Sequence, residues 1–125
     1  MSGLTAAGRA ILQLMETAQR GPKREGLFAL WLTVRVIEDL GQTPPPPDRA
    51  HRRRVTALEH RLSSLALPSP LRRGIAGALH SLKDADRSDV STLLSQLAAP
   101  TREAVGPDAA DVLVRAAREQ KRKPA

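Results

Sequence analysis

The stretch that decides the fold is LFALWLTVRVI, residues Leu27–Ile37. Nine of its eleven residues are apolar, and it holds Phe28 and Trp31, the chain's only aromatic residues. At helical spacing the apolar positions form two stripes, one of Leu27, Leu30, Trp31, Val34 and Ile37, the other of Phe28, Leu32, Val36 and Leu40. A helix with two apolar faces is normally buried on both sides, and eleven residues are too few for a bilayer, which takes about 20. The stretch predicts the central helix of a bundle, about residues 24–40, with no membrane span and with Trp31 buried by the first helix and a later one.

Length and composition indicate one ordinary domain. The chain has 125 residues, 41% hydrophobic and 26% charged, so we expect residues 1–125 to form a single helical domain around an aliphatic core. It has no cysteine, which fits a reducing compartment. Arg9, Gln13 and Glu16 interrupt the first apolar positions, so the run typical of a signal peptide is missing. We therefore expect a cytoplasmic protein.

Glycine, proline and serine mark the limits of the helices in the first two thirds of the chain. An amphipathic first helix ends at Gly21-Pro22, and residues 42–47 read as a polyproline linker. The third helix begins at Asp48 and the fourth at Ser69-Pro70. The segment Pro44–Arg49 also fits the PxxP-plus-basic pattern that SH3-type grooves bind. We interpret it as a stiff spacer between two helices.

The last third of the chain predicts one or two further helices. The fifth begins at Asp86 or Ser88 and stops before Pro100, which leaves Thr101–Val105 as a short turn or a short helical segment. A final helix begins at Pro107 and frays into a basic tail over residues 119–125. No segment alternates with a two-residue period, so no strand is expected. The predicted fold class is all-α, a compact bundle of five to six short helices around the central apolar helix.

Residues that carry chemistry do not form a catalytic or metal-binding pattern. The histidines are His51, His60 and His80, and the first two are nine residues apart, whereas helical metal sites use spacings of three or four. The segment Asp84–Asp89 begins like a calcium loop but lacks the glycine at its sixth position. We therefore predict no catalytic residues, no metal and no cofactor, and a chain that is not an enzyme by itself.

Small residues on the fourth helix predict a close helix–helix contact. Each glycine inside a helix costs roughly 1 kcal/mol relative to alanine, so two of them three residues apart need a reason. The predicted interface consists of Leu71, Gly74, Ile75, Gly77, Ala78 and Ser81. The sequence leaves open whether the helix that packs there belongs to the same chain or to a partner.

Arginines crowd the starts of the third and fourth helices, where they oppose the helix macrodipole. The arginines are Arg49, Arg52, Arg53 and Arg54 on the third helix and Arg72 and Arg73 on the fourth. The formal net charge of the chain is +7, so an anionic partner is in keeping with its composition. One hypothesis is an anion-binding or nucleic-acid-binding site made by both helix starts. The alternative is that these arginines are solvated, or pair with acidic helix ends such as Glu38-Asp39 or Asp84-Asp86.

These features together favour a small non-enzymatic α-helical interaction protein, an adaptor or accessory subunit of a larger assembly. Its expected partner is another protein or a second copy of the chain. The alternative is a basic helical protein that associates with nucleic acid mainly through phosphate contacts.

Overall fold

The computed structural model describes residues 6–18, 21–39, 48–84 and 90–122, and these ranges form six packed helices and no strand. The helices are α1 (Ala6–Thr17), α2 (Pro22–Asp39), α3 (Asp48–Ser63), α4 (Ser69–Asp84), α5 (Val90–Val105) and α6 (Pro107–Arg122). The predicted all-α bundle of five to six short helices is confirmed. The polyproline linker at 42–47 lies outside the described residues.

Glycine–proline pairs begin two of the helices. Gly21 has a φ of 144° and Gly106 a φ of 107°, a backbone region that glycine enters without the steric penalty other residues meet. The next residue is in each case a proline at the first helical position, where its missing N–H leaves no helical hydrogen bond unmade. The single residue Gly106 therefore suffices to end α5 and to begin α6.

Helix α2 lies at the centre of the bundle, where it packs against α1, α3, α4 and α5. Its most buried apolar side chains are Leu27, Ala29, Leu30, Val34, Val36 and Ile37. Its outward side carries Phe28, Trp31, Leu32 and Arg35, all half-buried. The prediction that Trp31 is a core residue was therefore wrong. Successive helical residues are rotated by about 100° about the helix axis. Because Leu30 and Val34 point into the core, Trp31 lies at the edge of the buried side of α2.

Helix α5 continues through Pro100 to Val105, so the prediction that it stops before the proline was also wrong. A proline inside a helix removes one hydrogen bond and crowds the preceding turn. Leu97, Thr101 and Val105 follow one another at four-residue steps and are at most 5% exposed. Their burial holds the helix together on both sides of the proline. The segment 101–105 is thus helical, as one of the two alternatives had it, but it is the last part of α5 rather than a separate element.

Two glycines allow neighbouring helices to approach the bundle centre closely. A Cβ atom on Gly26 of α2 would lie 2.7 Å from Cγ1 of Val105 and 3.0 Å from Cδ2 of Leu71. A Cβ atom on Gly74 of α4 would lie 2.6 Å from Cγ of Pro100. Real Cβ atoms do not occupy such positions without displacing their neighbours, so the absence of a side chain is what permits these contacts.

Helices α3 and α4 form an antiparallel pair, and this arrangement places the arginines at the starts of the two helices at opposite ends of the pair. His51, near the start of α3, donates its Nε2 hydrogen to the carbonyl oxygen of Leu82 near the end of α4, at 3.2 Å. At the other end, Arg72 in the first turn of α4 donates to the carbonyl oxygen of Leu65, just beyond α3, at 3.1 Å. Helices α5 and α6 are tied in a similar way, because the buried Ser91 hydroxyl donates to the carbonyl of Ala117 at 2.9 Å.

Helix α6 extends to Arg122, into the segment that the sequence assigns to a frayed tail. Cations in the last turn of a helix interact favourably with its macrodipole, which supports this extension. Residues 123–125 lie outside the described ranges. Within those ranges, none of the helices combines the length and the apolar character needed to cross a membrane.

Candidate docking surface on the third helix

The arginines at the two predicted helix starts do not come together in the structure. Because α3 and α4 are antiparallel, the start of α3 lies beside the end of α4. A helix of 16 residues is about 24 Å long. Arg72 and Arg73 therefore lie at the far end of the pair from Arg49 and Arg52, too distant to hold one anion together.

Helix α3 nevertheless presents its own basic surface, which we call the outer face. It consists of Arg49, Arg52, Arg53, Thr56, Ala57 and His60. All six side chains are exposed. Their spacing along the chain, mostly three or four residues, places them on one side of the helix. Because every residue of this surface belongs to α3, the described part of the chain provides no opposite wall. The outer face suits an extended partner better than a small ligand.

A second surface lies between α3 and α2, and we call it the α2–α3 groove. It is lined by Leu32, Arg35, Val36, Arg54, Ala57, Leu58 and Arg61 and has a volume of about 170 Å³. Leu32, Val36 and Leu58 supply an apolar floor. Arg35, Arg54 and Arg61 supply the charge, and none of the described lining residues is acidic. The groove therefore combines apolar contact area with three guanidinium groups.

Aromatic rings hold two of the groove's arginines in place. The guanidinium carbon of Arg35 lies 4.9 Å from the centroid of the Trp31 ring, and that of Arg61 lies 5.3 Å from the Phe28 ring. The two rings are themselves stacked, with centroids 6.3 Å apart and an interplanar angle of 28°. Such cation–π contacts contribute roughly 0.5–1 kcal/mol each at exposed sites. They restrict the positions of both guanidinium groups in the absence of a partner.

The third arginine of the groove, Arg54, forms an ion pair with Asp39 at the end of α2. This is the pairing with an acidic helix end that the sequence offered as the alternative to a binding site. Burial is the main cause that lowers the pKa of Arg54 below its ordinary value, and the neighbouring Arg35 is the second. The positive charges of Arg35 and Arg54 therefore repel each other at the edge of the groove.

Neither Arg35 nor Arg61 was among the arginines that the sequence singled out. Arg35 lies inside the apolar stretch Leu27–Ile37, four residues after Trp31, and Arg61 lies two turns after Arg54. The one available signal was the charge inside that apolar stretch. The contact between Arg61 and Phe28 joins two helices, and helical spacing along the chain does not reveal it.

The predicted interface on α4 is divided by the structure. Leu71, Ile75 and Ala78 are at most 3% exposed and belong to the core of this chain. The space beside Gly74, where a side chain would lie, is filled by the ring of Pro100 of α5. Gly77 and Ser81 are exposed, and a Cβ atom on Gly77 would meet no atom of the described residues within 4 Å. The close contact on the Gly74 side is thus made within the chain, whereas the Gly77 side is not covered by any residue that the structure describes.

A further groove of about 260 Å³ lies between α3 and α4, where Leu62, Ile75 and Leu79 meet. Its edge carries both signs of charge, because Glu59 and Arg72 are among its lining residues. Glu59 is already paired with Lys83 at 2.6 Å. This groove therefore has no charge preference comparable to that of the α2–α3 groove.

The histidines have structural or solvent-exposed positions. His51 is buried and bonded to the Leu82 carbonyl, whereas His60 and His80 are exposed. Among the residues that the structure describes, no three histidine or acidic side chains are grouped so that they could hold a metal ion. The calcium-like segment falls mostly at 85–89, outside the described ranges.

Comparisons with known proteins assign no role to these surfaces. The chain matches no protein-family model, no curated protein and no solved structure.

Proposed function

We propose that this chain is a small non-enzymatic α-helical interaction protein, an adaptor or accessory subunit, and that α3 is its contact helix. The observation that carries the proposal is the set of exposed arginines on α3. They are Arg49, Arg52, Arg53, Arg54 and Arg61. Together with Asp48 and Glu59 they give α3 a formal charge of +3.

The charge on α3 works against the stability of the helix that carries it. Arg49 lies in the first turn, where a cation opposes the macrodipole, and Arg53 is four residues further on, a spacing at which like charges repel. Both side chains are exposed. Surface residues that lower the stability of their own helix in this way are often found at binding sites. The complementary partner is anionic.

The preferred partner is another protein or a second copy of the chain. A cytoplasmic location is part of the same proposal and fits a chain without cysteine. The second candidate function is association with nucleic acid, which the three exposed arginines Arg49, Arg52 and Arg53 favour. Neutralisation of three phosphates of duplex DNA would give a log–log salt slope of about −2.7. The slope is modest because Arg72 and Arg73 lie at the other end of the helix pair and do not add to the number of phosphates neutralised at this surface.

Affinity purification from the native source tests the proposal. The wild type is compared with Arg49→Glu/Arg53→Glu and with a matched control, Arg115→Glu/Arg118→Glu, which makes the same charge change on exposed positions of α6. We expect the α3 variant to lose a partner that the α6 variant keeps. Identical partners for all three proteins would contradict the proposal. A partner lost on nuclease treatment would assign the second candidate function instead.

A further inference from the structure

We propose that the α2–α3 groove is the docking site for an acidic amphipathic helix of a protein partner. This inference rests on the proposed function and specifies it. The occupant would place apolar side chains on the floor of the groove and carboxylates against Arg35, Arg54 and Arg61. It would add a helix beside α2 and α3, as helices in bundles pack along the groove between two neighbours.

The floor of the groove indicates that the occupant has an apolar side. Leu32 and Val36 of α2 and Leu58 of α3 all line the groove, and Val36 and Leu58 are at most 7% exposed. The volume of about 170 Å³ is below the roughly 300–1,000 Å³ typical of small-molecule sites. It suits one or two anchoring side chains of a larger partner. Ala57, which is exposed, leaves the side of the groove open for such an anchor.

The three arginines indicate that the occupant is acidic. Among the described residues that line the groove, none carries a carboxylate, and the acidic partner of Arg54 is Asp39 at the end of α2. Arg54 and Arg61 are seven residues apart, which is about 10.5 Å along the axis of α3. Carboxylates two turns apart on a helix have the same separation. The spacing of the cations therefore matches acidic residues on one side of a partner helix.

The aromatic contacts further favour a protein over a nucleic acid. Arg35 and Arg61 lie over the rings of Trp31 and Phe28, so one face of each ring is covered and is not open to stacking by a base. Phosphate contacts would use the guanidinium groups but would leave the apolar floor without a partner. A protein helix with both apolar and acidic residues uses every feature of the groove. The pre-positioned guanidinium groups also reduce the entropy lost on binding.

A designed peptide provides a direct probe. It has about 18 residues, or five helical turns, carries leucine on one side and glutamate beside it, and contains no tryptophan. Its control has the same composition in scrambled order, so that charge is kept and amphipathicity is lost. The emission of Trp31, the chain's only tryptophan, reports on the groove through its contact with Arg35. We expect the amphipathic peptide to alter this emission and to bind at least about tenfold more tightly than the scrambled one.

Two variants and a matched control locate the binding. Arg61→Glu should lower the affinity for the peptide at least about tenfold, because the new carboxylate repels the glutamates of the peptide. Ala57→Leu, which fills the groove from an exposed helical position, should weaken it as well. Arg118→Glu makes the same charge change on an exposed position of α6 and should alter the affinity less than about threefold. Circular dichroism confirms that each variant is folded.

Several outcomes would overturn the inference. They are equal binding of the scrambled peptide, an Arg118→Glu effect as large as that of Arg61→Glu, and no binding of the amphipathic peptide at millimolar concentration. Duplex DNA that alters the Trp31 emission in the wild type but not in Arg61→Glu would assign the groove to phosphate and overturn protein docking. The proposed function fails separately: it is contradicted if partner capture is independent of Arg49 and Arg53, whatever the peptide does.

Discussion

Gly74 and Pro100 form a matched pair across the contact between α4 and α5. The proline ring occupies the space that a side chain at position 74 would need, with Cγ 2.6 Å and Cβ 2.9 Å from the place of the missing Cβ atom. Each residue is unfavourable inside a helix on its own. Together they allow two helices to lie close against each other. The glycine that suggested an external partner is therefore explained, at this position, by the chain's own packing.

The first prediction concerns two glycines of α4 that have opposite surroundings. Gly74→Ala should destabilise the protein by about 1–3 kcal/mol, because the new methyl group overlaps a rigid ring. Gly77→Ala, three residues further on, should stabilise it by about 0.5–1 kcal/mol, because the position is exposed and alanine is the better helix former. Urea denaturation followed by circular dichroism measures both changes.

A double variant separates this steric effect from a general effect of alanine in α4. In a Pro100→Ala background the ring is gone, so Gly74→Ala should become neutral or stabilising. If Gly74→Ala is equally harmful with and without Pro100, the pairing of these two residues is not the reason for the glycine.

The fold could be predicted to a large extent from the sequence, and the errors have physical causes. Helix starts at Asp48, Ser69 and Pro107 are set by local capping and proline chemistry, and the structure has them at the expected residues. The surroundings of Pro100 involve instead a residue far away in the chain, because its ring lies against Gly74, 26 positions earlier. Helix signals read from neighbouring residues predict a helix end at Pro100. They do not take into account the burial of Leu97 and Thr101 on either side of the proline.

The second prediction compares two arginines in the first turns of their helices. Arg72 donates to the Leu65 carbonyl and so closes the turn between α3 and α4. Arg72→Ala should destabilise the protein by about 0.5–1 kcal/mol, the net contribution of an ordinary hydrogen bond. Arg49→Ala should leave the stability unchanged or raise it by about 0.3 kcal/mol, because it removes a cation from a helix start. Thermal denaturation at low salt checks the difference between the two variants, and a larger loss for Arg49→Ala would contradict it.

The third prediction concerns Trp31, which lies at the rim of the core. Trp31→Ala should cost about 1–3 kcal/mol, less than the 3–5 kcal/mol typical of a fully buried aromatic residue. Trp31→Phe should change the stability by less than about 1 kcal/mol. Among the described residues the buried indole Nε1 has no hydrogen-bond partner, so phenylalanine removes a polar group that burial penalises. Denaturation curves of both variants measure these changes, and equal large losses would show that Trp31 is a core residue after all.

The candidate site was less accessible to sequence reasoning than the fold. The arginines of α3 could be found, because Arg52, Arg53 and Arg54 are consecutive. The groove could not be found, because it requires knowing which side of α2 faces α3. Helical periodicity defines the sides of each helix but not their rotation relative to each other. Arg35 and Arg61 belong to one surface only after Leu32 and Leu58 have packed together.

Hydrogen–deuterium exchange of the affinity-purified complex, compared with the free protein, tests most directly whether α3 is the contact helix. We expect slower exchange in α3, residues 48–63, and in the part of α2 around Leu32 and Val36, with α6 unchanged. The comparison needs no knowledge of the partner's identity, and α6 serves as the internal reference. Protection confined to α4 around Gly77 and Ser81, or to α6, with α3 unaffected, would contradict it.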